Sequence, residues 1–323
     1  MSTFKRDPLK PLLECTNDAV LFFVKRDVLG EKRKSVKALY DLPDPKKILR
    51  RQKRNGRWKY PAAKKDIRTQ HNYDFLETHR QLRFLVERYG FNKKHDAIKK
   101  AAQFIFSFQT SEGDFRGIYG TQHSPNFTAA VTELLIKAGY QNDQHIEKVM
   151  KWLIDYRLND GGWAIALRTR GDSSLEAIMN PKAKTIELDK TKTFSHLITG
   201  MVLRAFAAHP RYRKSVEAHK AGILLKSRFF KKDVYTDRKS EQYWTKIQFP
   251  YLWTDILSSL YVLERCGFSK DDPDIQKVLQ WFVDNQQKSG LWKAAYKTRK
   301  DADADFWVTM EASRVFKRWG VMA

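Results

Sequence analysis

Residues 285–296 read NQQKSGLWKAAY and place Gln286, Gly290 and Trp292 within seven positions. They follow an amphipathic run, DIQKVLQWFVD at 274–284. The same Gln-x3-Gly-x-Trp spacing returns at Gln52, Gly56 and Trp58. Phe replaces Trp at Gln109, Gly113 and Phe115, and Arg replaces Gln at Arg157, Gly161 and Trp163. A decayed copy is Phe229, Asp233 and Tyr235. A second signature alternates with the first: VERYGF ending at Phe91, IKAGY at Tyr140, LERCGF at Phe268 and FKRWGV at Val321. Glycine just past a helix, with a basic residue in the last turn, is a helix stop.

The distance from one signature to the next is nearly fixed. Gly90 to Gln109 is 19 residues, Gly139 to Arg157 is 18, and Gly267 to Gln286 is 19; Pro210 lies 19 before Phe229. Unrelated helix ends would not keep that phase, so the chain is a series of helical hairpins. One helix of each pair closes near 52, 109, 157, 229 and 286, and the other begins near 17, 72, 124, 193, 251 and 303. The first kind has a wet face, as in HIEKVMKWLIDY at 145–156, and suits an outer layer. The second kind is apolar on more than one face and suits an inner layer. Period alone allows a closed ring or an open solenoid.

The pattern aromatic-Leu-x3-Gln-x3-Gly-x-Trp resembles the glutamine–tryptophan motif of triterpene cyclases, within the terpenoid cyclase and protein prenyltransferase superfamily. The resemblance covers nearly the whole chain and implies an all-α fold, an α/α toroid of about five to six hairpins in one domain, residues 1–323. It also implies a central apolar cavity binding an isoprenoid or other lipid-like ligand. The motif residues themselves read as structural: Gln bonds backbone groups left open at helix ends, Gly permits the reversal, and the aromatic ring packs between helices.

The bulk numbers agree with such a fold. The chain has 323 residues, 42% hydrophobic, enough for a large core. No run approaches the roughly 18 apolar residues that span a bilayer. Two cysteines, Cys15 and Cys266, leave no disulfide framework and suit a reducing cytoplasm. The net charge is +24, and residues 1–100 hold 27 Lys+Arg against 12 Asp+Glu. That balance points to anionic partners. Its densest part, 46–68, includes Lys46, Lys47, Arg50, Arg51, Lys53, Arg54 and Arg57. Such a surface suits nucleic acid or an acidic partner, which gives an alternative function, a non-catalytic basic scaffold.

Any chemistry is expected at the starts of the inner helices, where helix dipoles favour anions. Aligned by their aromatics, these starts carry Phe75, Phe127, Phe194, Trp253 and Phe306 with Trp307, which are candidates for ligand binding. Two residues after the aromatic stand Glu77, Ala129, His196, Asp255 and Val308. Glu77, His196 and Asp255 are candidates for acid–base work or for holding zinc or magnesium. Prenyltransferases build their zinc site with an Asp-x-Cys element that is absent here. Asp303, within DADAD at 301–305, resembles the Asp-x-Asp-Asp acid of the cyclases but lacks the adjacent acid pair. The segment 164–192 is longer than its counterparts and is a candidate lid.

Overall fold

A computed structural model describes residues 4–32, 35–61, 69–171, 177–178, 180, 182–297 and 301–322. The described residues are helical with no strand; an isolated bridge joins Gln52 and Trp58. The helices are α1 (Leu9–Leu13), α2 (Asp18–Phe23), α3 (Pro43–Leu49), α4 (Gln70–Tyr89), α5 (Asp96–Phe106), α6 (Pro125–Leu135) and α7 (Gln144–Asp155). After them come α8 (Ala166–Thr169), α9 (His196–Ala208), α10 (Val216–Lys226), α11 (Ile256–Arg265), α12 (Pro273–Asp284) and α13 (Ala304–Arg318).

The two expected kinds of helix are both present. In α7 the buried side chains fall on one stripe, among them Ile146, Val149, Met150 and Leu153. In α9 every residue from His196 to Ala207 is buried, and in α11 so is every residue from Ile256 to Leu263. A helix sealed all round needs neighbours on every side, which a single amphipathic layer does not supply. The chain forms two compact units, Val36–Ala221 and the pair Met1–Ser35 with Gly222–Ala323.

The repeated turns work through the same bonds in each copy. Gln52 Nε2 donates to Gly56 O at 2.9 Å and to Ala97 O, in the first turn of α5, at 2.8 Å. Gln109 Nε2 does the same with Gly113 O at 3.0 Å and His145 O, in the first turn of α7, at 2.9 Å. Gln286 Nε2 donates to Gly290 O at 2.9 Å and Arg6 O at 3.0 Å, and its Oε1 accepts from Arg6 N at 3.0 Å. Each glutamine thus ties its own turn to the next amphipathic segment. The glycines permit close approach: a Cβ on Gly56 would lie 2.1 Å from Lys100 O, and one on Gly290 would lie 2.8 Å from Asp7 O. Both have positive φ, at 88° and 89°, which adds strain for any other residue.

The tryptophans complete the turn. Trp58, Trp163 and Trp292 are fully buried, and each indole donates to the carbonyl ten residues back, Ile48, Leu153 and Phe282, at 2.8, 2.7 and 2.8 Å. In the decayed copy the buried indole is Trp244, which donates to Lys231 O at 2.9 Å and packs edge-on against Phe229. Tyr235, placed in the tryptophan position by spacing, is only half-buried there.

Candidate functional site: a charged band on the buried helices

Each repeated turn is also fastened to the buried helix that follows it, by a threonine. Trp58 N donates to Thr78 Oγ1 at 3.0 Å, Phe115 N to Thr128 Oγ1 at 3.0 Å, Trp163 N to Thr199 Oγ1 at 3.0 Å, and Trp292 N to Thr309 Oγ1 at 2.9 Å. These four hydroxyls mark equivalent levels on α4, α6, α9 and α13. Counting from them shows a feature that the aromatics hide. Five residues on stand Arg83, Glu133, Arg204 and Arg314, all charged. Nine residues on, one turn further, stand Glu87, Lys137, Ala208 and Arg318. The helices expected to wall an apolar cavity therefore carry a band of ionised side chains.

In Val36–Ala221 the band is a chain of ion pairs. Arg204, 1% exposed, donates from Nε to Glu133 Oε2 at 2.8 Å. Lys137 Nζ donates to Glu133 Oε1 at 2.7 Å and to Glu87 Oε1 at 2.6 Å. Burial alone would raise the Glu133 pKa, but Lys137 and Arg204 outweigh it and hold the carboxyl below its ordinary value. His79 lies one turn earlier on α4, its ring 5.5 Å from that of Phe127. Burial, with repulsion from Arg83, pushes its pKa down to about 3, so the imidazole is neutral near pH 7.

In the other unit α13 carries a second network. Arg314 Nη1 donates to Glu311 Oε2 at 2.9 Å, and Arg314 Nη2 lies 2.6 Å from Asp27 Oδ2. The Tyr251 hydroxyl donates to Glu311 Oε1 at 2.9 Å. Burial and the Glu311 charge raise the Tyr251 pKa well above its ordinary value. Arg318 Nε donates to Glu264 Oε2 at 2.7 Å.

The threonine register corrects the alignment of helix starts. Glu77 directly precedes its threonine, whereas His196 lies three residues before its own, so the two are not equivalent. Nor is Glu77 at a helix start: it lies well inside α4, bonded to Gln81 and, at 3.3 Å, to Arg80. His196 is the buried first residue of α9, behind the cap Ser195. Asp255 caps α11, accepting from Ser258 N at 2.7 Å while Ser258 Oγ accepts from Asp255 N at 2.9 Å. Asp303 precedes α13 and accepts from Asn17 Nδ2 at 2.7 Å. Among the described residues no three His, Cys, Asp or Glu side chains cluster as a metal site, the set Glu77, His196 and Asp255 included.

Half of the aromatic candidates are core. Phe75 is sealed and stacks on Phe108 at 4.2 Å, while Phe194 and Trp307 are also buried. Phe127, Trp253 and Phe306 are half-buried, and the Arg238 guanidinium lies 5.0 Å from the Trp253 ring. On the basic face Lys46, Lys47, Arg50, Arg51, Lys53 and Arg54 are exposed. Arg57 does not belong with them: it is half-buried and lies 3.3 Å from the buried carboxylate of Asp74. The described part of 164–192 is anchored where Gln122 donates to Lys184 O at 2.9 Å and accepts from Ile186 N at 3.0 Å. Residues 172–176, 179 and 181 lie outside the described residues.

Helical hairpins closed by glutamine and tryptophan recur in both units, in the pattern that resembles the terpenoid cyclase motif. Residues 74–187, which include most of α4, all of α6 and most of the charged band, match the family model of the squalene-hopene cyclase C-terminal domain. Among solved structures, the chain is similar to the type II terpene cyclase MstE from Scytonema in complex with geranylgeranyl dihydroxybenzoate. The identity there is 12%, the coverage 97% of this chain and 99% of that one, and the TM-score 0.39. A protein from Actinoplanes is similar at 12% identity, with 89% and 99% coverage and a TM-score of 0.31. At such TM-scores these are distant likenesses. No curated protein matches the chain. No helix among the described residues is long and apolar enough to cross a membrane.

Proposed function

We propose that the chain binds an isoprenoid or other lipid-like ligand against its buried helices, as a terpene cyclase-like protein. The observation that carries this reading is the charged band on α4, α6 and α9. Burying ion pairs is rarely a gain in stability, since similar volumes of apolar side chain do as well or better. Ionised groups kept at one level of helices that are otherwise apolar are therefore better explained by a ligand with both a greasy and a polar part. The family match on residues 74–187 supports the class of that ligand. In this reading Phe127, half-buried near the start of α6, touches the apolar part, and residues 182–192 cover it.

Native mass spectrometry of protein purified from its own host tests this directly. A co-purified prenyl or similar lipid is expected, displaced by added geranylgeranyl compounds. A protein that carries no lipid and takes up none sinks the proposal. Cyclisation is the activity to assay, with Asp303→Asn and Glu77→Gln as the first variants.

A second reading is favoured by the basic face. Lys47, Arg50, Arg51, Lys53 and Arg54 are exposed and make no ion pair among the described residues. Lys46 pairs with Asp41 at 3.0 Å. Such a surface suits an acidic partner or nucleic acid, whose binding would weaken steeply with salt. Retention on a nucleic-acid matrix that does not change with salt removes this reading.

A further inference from the structure

The exposed cations of α3 and its turn do not stand alone. Each amphipathic helix of Val36–Ala221 that follows a repeated turn carries a lysine at the same place: Lys100 on α5, Lys148 on α7 and Lys220 on α10. Lys100 is nine residues before Gln109, Lys148 nine before Arg157 and Lys220 nine before Phe229. In each case the lysine packs against the turn before it. A Cβ on Gly56 would lie 2.1 Å from Lys100 O, one on Gly113 would lie 3.0 Å from Lys148 O, and one on Gly161 would lie 2.8 Å from the Lys220 side chain. The turn at Gly56 also carries Lys53 and Arg54, so the cations of 46–54 adjoin Lys100. The same contact then leads from the turn after α5 to Lys148, and from the turn after α7 to Lys220.

Lys100, Lys148 and Lys220 are exposed, as is Lys151, one turn beyond Lys148. None of the four makes an ion pair among the described residues. The acids nearby are occupied: Asp96 pairs with Lys99 at 3.1 Å and Glu147 with Arg211 at 2.6 Å. Asp155, at the far end of α7, is the remaining exposed acid on α5 and α7. Packing explains the stems, since methylenes cover a glycine turn. It does not explain an unpaired ammonium at every step, because like charges gathered on one surface repel.

We infer that these lysines extend the basic face of 46–54 into one track across the amphipathic helices, and that its partner is a nucleic-acid duplex held by its phosphates. The inference rests on the second reading above and narrows it. A protein partner would need an apolar centre to its interface. Of the large apolar and aromatic side chains in the described part of Val36–Ala221, Val216 alone is well exposed. The same lack leaves little to insert into an acidic membrane, and no exposed ring on which the bases of a single strand could stack. A duplex asks for neither. Its phosphates place roughly one negative charge per 1.7 Å of helix axis, which point-like ammonium groups neutralise without reading sequence.

Fluorescence anisotropy of the full chain with a short labelled DNA duplex of arbitrary sequence, over a range of salt, tests this. The logarithm of the binding constant should fall linearly with the logarithm of salt, by about 0.9 for each phosphate neutralised. The triple variant Lys100→Gln, Lys148→Gln and Lys220→Gln should lower that slope by about 2–3 and weaken binding about tenfold or more at low salt. Arginine at the same three positions keeps the charge and should keep the slope. Lys277→Gln, nine residues before Gln286 and paired with Asp274 in the other unit, should change nothing. Duplex binding with an unchanged slope in the glutamine triple confines the contact to 46–54; the second reading then stands and the track falls. A loss at Lys277→Gln as large as that from one track lysine overturns the inference too. So does binding to phosphatidylserine vesicles without binding to duplex, or tighter binding to an oligothymidine strand than to duplex. If no nucleic acid binds, the second reading falls together with the inference.

Discussion

The two charged networks sit at matching levels of the repeat but are built differently. On α13 the carboxylate and guanidinium belong to one helix: Glu311 and Arg314 are three residues apart, and Asp27 supplies a second acid 2.6 Å from Arg314. On α6 and α9 the pair is split between helices, with Glu133 on one and Arg204 on the other. A guanidinium with two acids is secure if one is lost. A pair split between helices also depends on how those helices pack. The α13 network thus holds its pair within one helix, whereas the α4–α6–α9 network is tied together across helices.

The contrast is broken most sharply at Glu133. Glu133→Ala removes the buried carboxylate that accepts from Arg204 and Lys137 and should cost ~3–5 kcal/mol in denaturant unfolding, the usual cost of breaking a buried pair. The double variant Glu133→Met with Arg204→Met should recover most of that loss. A single variant that unfolds like the unaltered chain would show that the pair is not buried in solution.

Acid should act next, through His79. Its pKa is about 3 in the folded chain against 6.5 when free, so below pH 6.5 the unfolded chain binds the extra proton and stability falls with pH. The slope is about 1.4 kcal/mol per pH unit for one such group, or ~2–3 kcal/mol by pH 4.5. Glu133, whose pKa is depressed, adds its own loss only below its free value of 4.5. Stability of His79→Gln, followed from pH 7 to 4.5, should be nearly flat by comparison. An unchanged slope would place the responsible proton elsewhere.

At Glu311 the effect should be smaller. Glu311→Ala leaves Arg314 its contact with Asp27 and should cost ~1–3 kcal/mol, the scale of a buried hydrogen-bond partner removed. A loss as large as that of Glu133→Ala would erase the distinction between the two networks. The smallest effect is expected at a cap outside both. Asp255→Ala should cost ~1 kcal/mol, as N-cap removal does, with no change in ligand affinity. A loss of ligand affinity there without a matching loss of stability would return Asp255 to the binding site.

The fold was legible because its markers are local. Gln, Gly and Trp act within one turn, so their spacing of 18 to 19 residues from the preceding stop survives in the letters. The band was not, because its register is set across a loop of variable length. The turn aromatic and its threonine are 20 residues apart at Trp58 and Thr78, 13 at Phe115 and Thr128, 36 at Trp163 and Thr199, and 17 at Trp292 and Thr309. Aromatics near the helix starts shift against that register by several residues, so they grouped Glu77 with His196. The informative signal was the threonine itself, followed on two of the four helices by a Thr or Ser four residues on: Thr128 accepts from Thr132 at 2.7 Å and Thr309 from Ser313 at 2.8 Å through their carbonyls. The charges follow that mark at a constant offset.

The bond between Gln286 and the Arg6 backbone has a consequence for the order of assembly. Residues 36–221 are contiguous and emerge from the ribosome as one block, free to fold as they appear. Residues 1–35 belong instead with Gly222–Ala323, so they are made before the 36–221 block and seated only after it. Until translation reaches Gln286, the Arg6 backbone lacks that glutamine, and the apolar side chains of Leu12, Val20 and Phe23 await α13.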